Sequence, residues 1–363
     1  MLKPSGNERP GFPRPKRDEI LYQKTLSQGF QEFPKRKENY EKYLKANRGE
    51  FSHHLPIIMD IENVSRCNFR CTMCEVSTWD KGKRAEDMNL EDFKKILNEQ
   101  YGLIEIKLQG LGEPTMGASY FEMIKFARER HLWVRSTTNA SLLHYNNIAE
   151  KFVSSDICEL QISVDGASKQ TYEKIRKGGK FELMQKNIKH LHSVWKNVGE
   201  PRTRMWTVLQ KANFDEVYQF TEFSRELGFK RLTLALDLND FGQESWKTKN
   251  SENDIHLKFS QEMAADILNR ARLQGLDLSF WYLEEKFNTQ SPKNLCPWPF
   301  DRLMISSDLR IVPCCMISNP NVASLGDGKQ LLKEWNGETY RNFRKQHLTG
   351  KIPNFCKSCY KEN

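Results

Sequence analysis

Residues 55–74 read LPIIMDIENVSRCNFRCTMC, an apolar run that passes without a break into three cysteines spaced C-x3-C-x2-C. The stretch LPIIMDIEN (55–63) has the length and apolar density of a strand buried on both faces, the pattern of a parallel sheet. Cys67, Cys71 and Cys74 then fall in the loop at its C-terminal end, where parallel α/β barrels carry their active loops. Cysteine metal sites that are purely structural close with four ligands, whereas a site that keeps an open position is catalytic. Three thiolates on a four-iron cube would leave one iron open; zinc with a distant fourth ligand is the bland alternative.

Downstream of this loop, apolar segments and amphipathic segments alternate. Strands are expected at 103–108, 132–137, 157–164, 204–210 and 231–238. Helices are expected near 89–98 and at 120–129, 142–152, 181–195 and 214–227. Six β–α steps between 55 and 240 argue for a parallel sheet wrapped by helices, and right-handed crossovers would curl it into a partial (β/α)6 barrel of the α/β class. Before the barrel, residues 1–54 form an extension, irregular to about 17 and then helical near 18–29 and 35–47. After it, 241–292 is a bridging segment, polar at first, with a helix at 255–273 and an apolar LDLSFWYL. Residues 293–363 form a small cysteine-rich domain.

C-x3-C-x2-C after the first strand of a six-step β–α chain resembles the radical S-adenosylmethionine (radical SAM) enzymes. In that family the open iron of a [4Fe-4S] cluster is chelated by the amino and carboxylate groups of S-adenosylmethionine. The reduced cluster cleaves this cofactor to a 5′-deoxyadenosyl radical, which abstracts a substrate hydrogen. Three further strand ends fit. Leu111-Gly112-Glu113-Pro114 stands where the family has Gly-Gly-Glu-Pro, with leucine for the first glycine. The resemblance implies that Gly112 allows close backbone approach and that Glu113 accepts from the methionine ammonium. Asn139, in Thr137-Thr138-Asn139-Ala140, and Ser163, in Ser163-Val164-Asp165-Gly166, would meet the ribose and methionine parts of the cofactor. Met73, where the family often has an aromatic residue, could pack against the adenine face.

Five of the nine cysteines lie in the tail, at 296, 314, 315, 356 and 359. Cys296, Cys314, Cys356 and Cys359 can converge four thiolates on a closed site, structural or electron-transferring, with zinc a real competitor from spacing alone. The C-P-W opening, the P-C-C stretch and the W-N…R run before the final C-x2-C resemble the SPASM/twitch appendage of radical SAM enzymes, which implies one auxiliary [4Fe-4S] cluster on these four. The glycine usual before the second strand of the hairpin is absent; the turn reads Ser306-Ser307-Asp308-Leu309. Cys158 reads as a small buried hydrophobe. Cys315, next to a ligand, should point to the opposite face of a hairpin. It is a candidate alternative ligand, a filler, or a catalytic hydrogen donor.

The cofactor is better specified than the substrate. The leading expectation is hydrogen abstraction from a small, polar, carbohydrate- or aminoglycoside-like metabolite, leading to dehydrogenation or epimerisation. An external donor of flavodoxin or ferredoxin type would supply electrons. The alternative is a peptide- or protein-modifying enzyme. Gln109, Gln210, Asp237 and Asn239 are candidate substrate-facing groups at strand ends.

Composition bounds these readings. The chain of 363 residues is 38% hydrophobic and 28% charged, with net charge +9. It contains no apolar run of transmembrane length, and the N-terminus MLKPSGNERPGFPRPKRDE lacks a secretory h-region. A cytoplasmic setting with reduced thiols is therefore the expectation. Residues 1–50 hold 12 Lys/Arg against 7 Asp/Glu, but no arginine-rich or aromatic-interleaved stripe develops. A solvated helical lead-in fits better than a nucleic-acid arm. A basic zinc protein binding nucleic acid remains the reading from a different class.

Overall fold

A computed structural model describes residues 9–255, 258–282 and 287–361. One ten-stranded sheet organises the chain, in the order β10-β9-β8-β1-β2-β3-β4-β5-β6-β7. Strands β1 (Ile58–Ile61), β2 (Glu105–Leu108), β3 (Trp133–Thr138), β4 (Glu159–Ser163), β5 (Thr203–Val208) and β6 (Arg231–Ala235) are the six expected strands, each parallel to the next. The parallel run extends beyond them at both ends. β7 (Asp277–Trp281), within the segment read as a bridge, pairs in parallel with β6. β8 (Arg302–Ile305) pairs in parallel with β1, so the cysteine-rich tail begins as a strand of the same sheet. Only β9 (Arg310–Val312) and the two-residue β10 (Gly326–Asp327) run antiparallel.

Helices follow the strands as the alternation requires: α3 (Leu90–Glu99), α4 (Tyr120–Arg128), α5 (Ile148–Ser154), α7 (Phe181–Lys196) and α8 (Gln219–Glu226). Three bounds move. The helix expected from Leu142 starts six residues later, because Asn146 and Asn147 take left-handed backbone conformations, at φ 47° and 56°. Residues 214–216 form a 3-10 turn before α8. Residues 256–257, at the expected start of the helix 255–273, lie outside the described residues, and that helix, α10, runs Gln261–Leu273. α6 (Lys169–Ile175) and the polar α9 (Glu244–Ser251), too short or too polar to read by periodicity, are additions.

The N-terminal extension is built into the body. α1 (Glu19–Glu32) and α2 (Pro34–Lys45) lie against the N-terminal ends of the strands, where Tyr22 meets Trp133 edge-on at 5.3 Å. Phe12 is fully buried beside Phe280, and the Phe280 amide donates to the Pro13 carbonyl at 2.7 Å, which covers the edge of β7. Arg36 donates to the Arg130 carbonyl at 2.6 Å and Arg17 to Glu105 at 3.1 Å. The basic surplus of this segment is thus partly spent on internal contacts.

Alternation along the strands sorts the two faces. Met59, Ile61, Ile106, Leu108, Val134, Leu160 and Ile162 pack outward into the helix layer as one hydrophobic core. Their neighbours Asp60, Lys107, Arg135 and Gln161 therefore face inward. The inner face of this open barrel is polar and charged, and all the strand-end motifs open onto its C-terminal rim.

Candidate functional site

The loop carrying Cys67, Cys71 and Cys74 is pinned from three sides. The Cys67 amide donates to the Gly82 carbonyl, the Arg70 amide to Lys177 and the Thr72 amide to Ile175. The Arg70 guanidinium closes back on the Cys67 carbonyl at 2.7 Å. Burial pushes the Cys67 and Cys74 thiols up to about 12, with neighbouring Glu113 and Cys71 respectively adding to the effect, and raises Cys71 as well. Arg176 opposes this at Cys71; its Nε also donates to Asp165 at 2.6 Å. Thiolates so disfavoured by burial are stable only beside cationic charge, as a bound cluster provides.

Glu113 sits at the centre of the next strand end. It is 3% exposed. Its carboxylate accepts from the Thr138 and Thr115 hydroxyls at 2.7 Å each, and from the Asn139 amide at 2.8 Å. Burial raises this carboxyl overall, and it lies within electrostatic reach of Cys67. No cation pairs with it among the described residues, so a ligand ammonium would meet a desolvated, aligned acceptor. Gly112 explains its own identity: a Cβ there would lie 2.3 Å from the Val64 carbonyl oxygen and 2.6 Å from that of Arg66. The Glu113 amide donates to the same Arg66 carbonyl at 2.9 Å. The leucine that replaces the family's first glycine donates its amide to Glu62 at 3.2 Å. Gly110 supplies the close approach to the Glu62 side chain.

The remaining expected cofactor groups divide. Ser163 ends β4 facing inward and is buried. Asn139 is committed to the turn: its Nδ2 donates to Asn68 at 2.9 Å, and its Oδ1 accepts from Ser141. Met73 is half-buried in the cysteine loop. Gln109 and Gln210 each bury one amide atom without a hydrogen-bond partner, Oε1 and Nε2 respectively. Asn239 is satisfied locally, donating to the Met316 carbonyl and accepting from the Phe241 amide. Asp237 lies just past β6, half-buried.

In the tail, burial and the charges of the other thiols raise Cys296, Cys314 and Cys356. Cys314 responds to Cys356, Cys359 and Cys296, so the four expected ligands share one neighbourhood. Tyr360 supports it: its hydroxyl accepts from the Cys296 amide at 3.0 Å and bonds His347 Nδ1 at 2.7 Å. Among the described residues no three His, Cys, Asp or Glu groups converge at the spacing of a single metal ion. Three thiols in one loop and four in the tail are a donor set that an iron–sulfur cluster accepts.

Cys315 lies past the extended part of the hairpin. β9 ends at Val312, and Cys314 to Ile317 form a tight turn closed by the Ile317 amide on the Cys314 carbonyl. The Cys315 thiol is raised to about 12 by burial and senses Asp60 and Lys107, so it lies toward the barrel's inner face. Leu309 takes φ 60° where the family has glycine, a left-handed conformation that costs a leucine about 1 kcal/mol. Cys158 is buried beside Tyr22 and Trp133.

Sequence reasoning missed the buried polar links between the two cysteine regions. Glu75, 3% exposed, accepts from Gln243 at 2.9 Å and from Asn319 at 2.5 Å. Its position directly after Cys74 was the only available signal.

The chain matches the radical SAM superfamily over residues 64–224 and the SPASM iron-sulfur cluster-binding domain over 296–360. It is 25% identical to the mycofactocin maturase MftC of Mycolicibacterium smegmatis over 235 residues, 64% of this chain and 54% of that protein. The chain thus spans about half the length of the mycofactocin maturases it matches. It is 22% identical to the PqqA peptide cyclase of Bradyrhizobium diazoefficiens over 314 residues, 84% of this chain and 79% of that one. Among solved structures, Streptococcus suis SuiB bound to precursor peptide SuiA superimposes with a TM-score of 0.63 at 16% identity, covering 80% of this chain and 67% of SuiB; this likeness is one of fold.

Proposed function

The chain is a radical SAM enzyme with a C-terminal SPASM domain, and from that premise we propose that it modifies a peptide or protein substrate. Its cofactors are S-adenosylmethionine, a [4Fe-4S] cluster and an auxiliary iron–sulfur cluster. When bound they supply abstraction of a hydrogen atom from an unactivated carbon. We assign Cys67, Cys71 and Cys74 to the first cluster and Cys296, Cys314, Cys356 and Cys359 to the second. Glu113 binds the methionine ammonium, held in place by Thr138, Thr115 and the Asn139 amide. Ser163 contacts the cofactor from the next strand. Asn139 contributes through its amide, since its side chain serves the turn.

The peptide reading displaces the expected carbohydrate-like substrate. The observation that carries it is the match over 84% of this chain to the PqqA peptide cyclase, named for cyclising a peptide; MftC is a second match named as a maturase. The strand-end residues do not by themselves separate a sugar from a peptide. Dehydrogenase or epimerase chemistry accordingly has no special standing. The protein works in a reducing, cytoplasmic compartment with an external low-potential donor of flavodoxin or ferredoxin type. Among the described residues no helix is long and apolar enough to cross a membrane.

The test is anaerobic turnover with deuterated substrates. A short peptide encoded beside the gene, deuterated in its side chains, should pass deuterium into 5′-deoxyadenosine and change mass. Transfer from aminoglycosides or cyclitols, with none from such peptides, would return the substrate to the carbohydrate class.

A further inference from the structure

The inner face of the barrel holds more positive charge than its own carboxylates neutralise. Glu105 is shared by Arg135 at 2.5 Å and Arg17 at 3.1 Å. Glu159 is shared by Arg204 at 3.5 Å and Arg231 at 3.9 Å. Two inward cations are left. Among the described residues, Lys107 and Arg302 make no ion pair with a carboxylate within 4 Å, and Arg302 Nε is buried without a hydrogen-bond partner. The register brings them together. Lys107 lies opposite Asp60 on β1, and Arg302 on β8 lies opposite Ile58, one inward position toward the N-terminal end. Asp60 is the one carboxylate left between them, and it senses both. Lys107 and Arg302, both half-buried, face this one carboxylate, with the Cys315 thiol near both and Cys296 within electrostatic reach of Arg302; an added anion would meet an ammonium and a guanidinium there, and buried charge is stable only when paired.

We propose that Lys107 and Arg302, flanked by Asp60, seat a carboxylate of the substrate. The barrel then accepts a substrate that presents an acidic side chain or a free C-terminus near the carbon that is attacked. That the carboxylate belongs to a peptide rests on the proposed function; the seat itself does not. The guanidinium can take the carboxylate bidentately, while the ammonium adds a point charge from the neighbouring strand. Asp60 keeps the seat from holding anions too tightly for release. The position also differs from that of Glu113, which would take a cation at the C-terminal rim, so the two ends of the lumen select opposite charges.

Trace acetylation of the anaerobic, cluster-loaded protein with peptide mapping reads the Lys107 amine directly. N-acetyl-glutamate α-methylamide supplies a side-chain carboxylate, N-acetylglycine a terminal one, and N-acetyl-glutamine α-methylamide a neutral isostere. At tens of millimolar, at least one acid should slow Lys107 labelling threefold or more, and the neutral isostere should not; whichever acid protects better identifies the source. Arg302→Gln should remove the protection. If that variant does not fold, Met304→Glu, which puts a carboxylate opposite Asp60 on the same face, should fill the seat and make labelling insensitive to the acids. Equal protection by acid and amide, or none by either acid, overturns the seat. Full protection by S-adenosylmethionine alone, with no further effect of the acids, assigns it to the cofactor's carboxylate and also overturns the proposal. Failure of the peptide reading would leave these labelling ratios unchanged, so the two failures are distinguishable.

Discussion

Arg84 spans Glu62 and Asp308, donating at 2.8 Å to the first and 3.0 Å to the second, with both Arg84 and Glu62 almost completely buried. Glu62 directly follows β1; Asp308 lies in the hairpin turn of the SPASM domain. The same Glu62 carboxylate accepts from the Ser307 amide at 3.0 Å and from the Leu111 amide at 3.2 Å. One buried pair therefore connects the cysteine loop, the Leu-Gly-Glu-Pro turn and the tail.

Removing one member of that pair leaves the other buried and uncompensated. Arg84→Met should cost about 3–5 kcal/mol of folding free energy. The loss is read by chemical denaturation of the anaerobic protein. A change below about 1 kcal/mol would show that Glu62 finds water or another donor.

Gly112→Ala forces a methyl group onto the carbonyls of Val64 and Arg66, which are backbone and cannot swing aside. The turn must lift from the cysteine loop and take Glu113 away from Thr138 and Asn139. S-adenosylmethionine affinity should fall at least tenfold by equilibrium dialysis, while the tail retains its iron. Unchanged affinity would mean that the turn has slack the structure does not show.

The two thiol groups should be separable. Replacing Cys67, Cys71 and Cys74 together by alanine should abolish reductive cleavage of S-adenosylmethionine and leave one cluster by iron and sulfide analysis. Cys315→Ala should leave both clusters in place. Loss of all iron from the triple variant would remove the assignment of the tail cysteines.

His192 donates from Nδ1 to the Leu227 carbonyl and accepts at Nε2 from Thr203, both at 2.8 Å, in a site that is 3% exposed. Burial lowers it to about 4 from an ordinary 6.5. The unfolded chain then binds this proton more readily than the folded one. The stabilising effect is complete above pH 6.5 and drains away as pH falls toward 4. At about 1.4 kcal/mol per unit, roughly 3 kcal/mol is involved. Denaturation of wild type and His192→Gln at pH 7, 5.5 and 4.5 should show a steeper decline in the wild type; parallel declines would place the acid sensitivity elsewhere.

Much of the core was legible because its signals are local. Each of the six strands from Ile58 to Ala235 is a short stretch with apolar residues at alternate or successive positions, and each of the three motifs follows its strand within a few residues. The strands β7 and β8 were read as parts of a bridge and of a separate hairpin. Nothing in LDLSFW or DRLMI states which edge a strand will join, and that choice depends on which edges the barrel leaves open. The backbone around Cys315 was not legible for a related reason: alternation holds only while the chain is extended, and β9 ends two residues before Cys314.

The sequence by itself determined the three-thiol loop, the glutamate that follows the second strand and the cysteine-rich tail, because each rests on spacing along the chain. Only the tertiary structure decided what surrounds them. Thr138 and Asn139 reach Glu113 from another strand, Arg84 joins residues more than 200 positions apart, and the register sets Lys107 opposite Asp60 with Arg302 on the strand beyond. Those relations come from register and burial, where a charge is tolerated only if the fold brings it a partner, and no spacing in the sequence records which partner that will be.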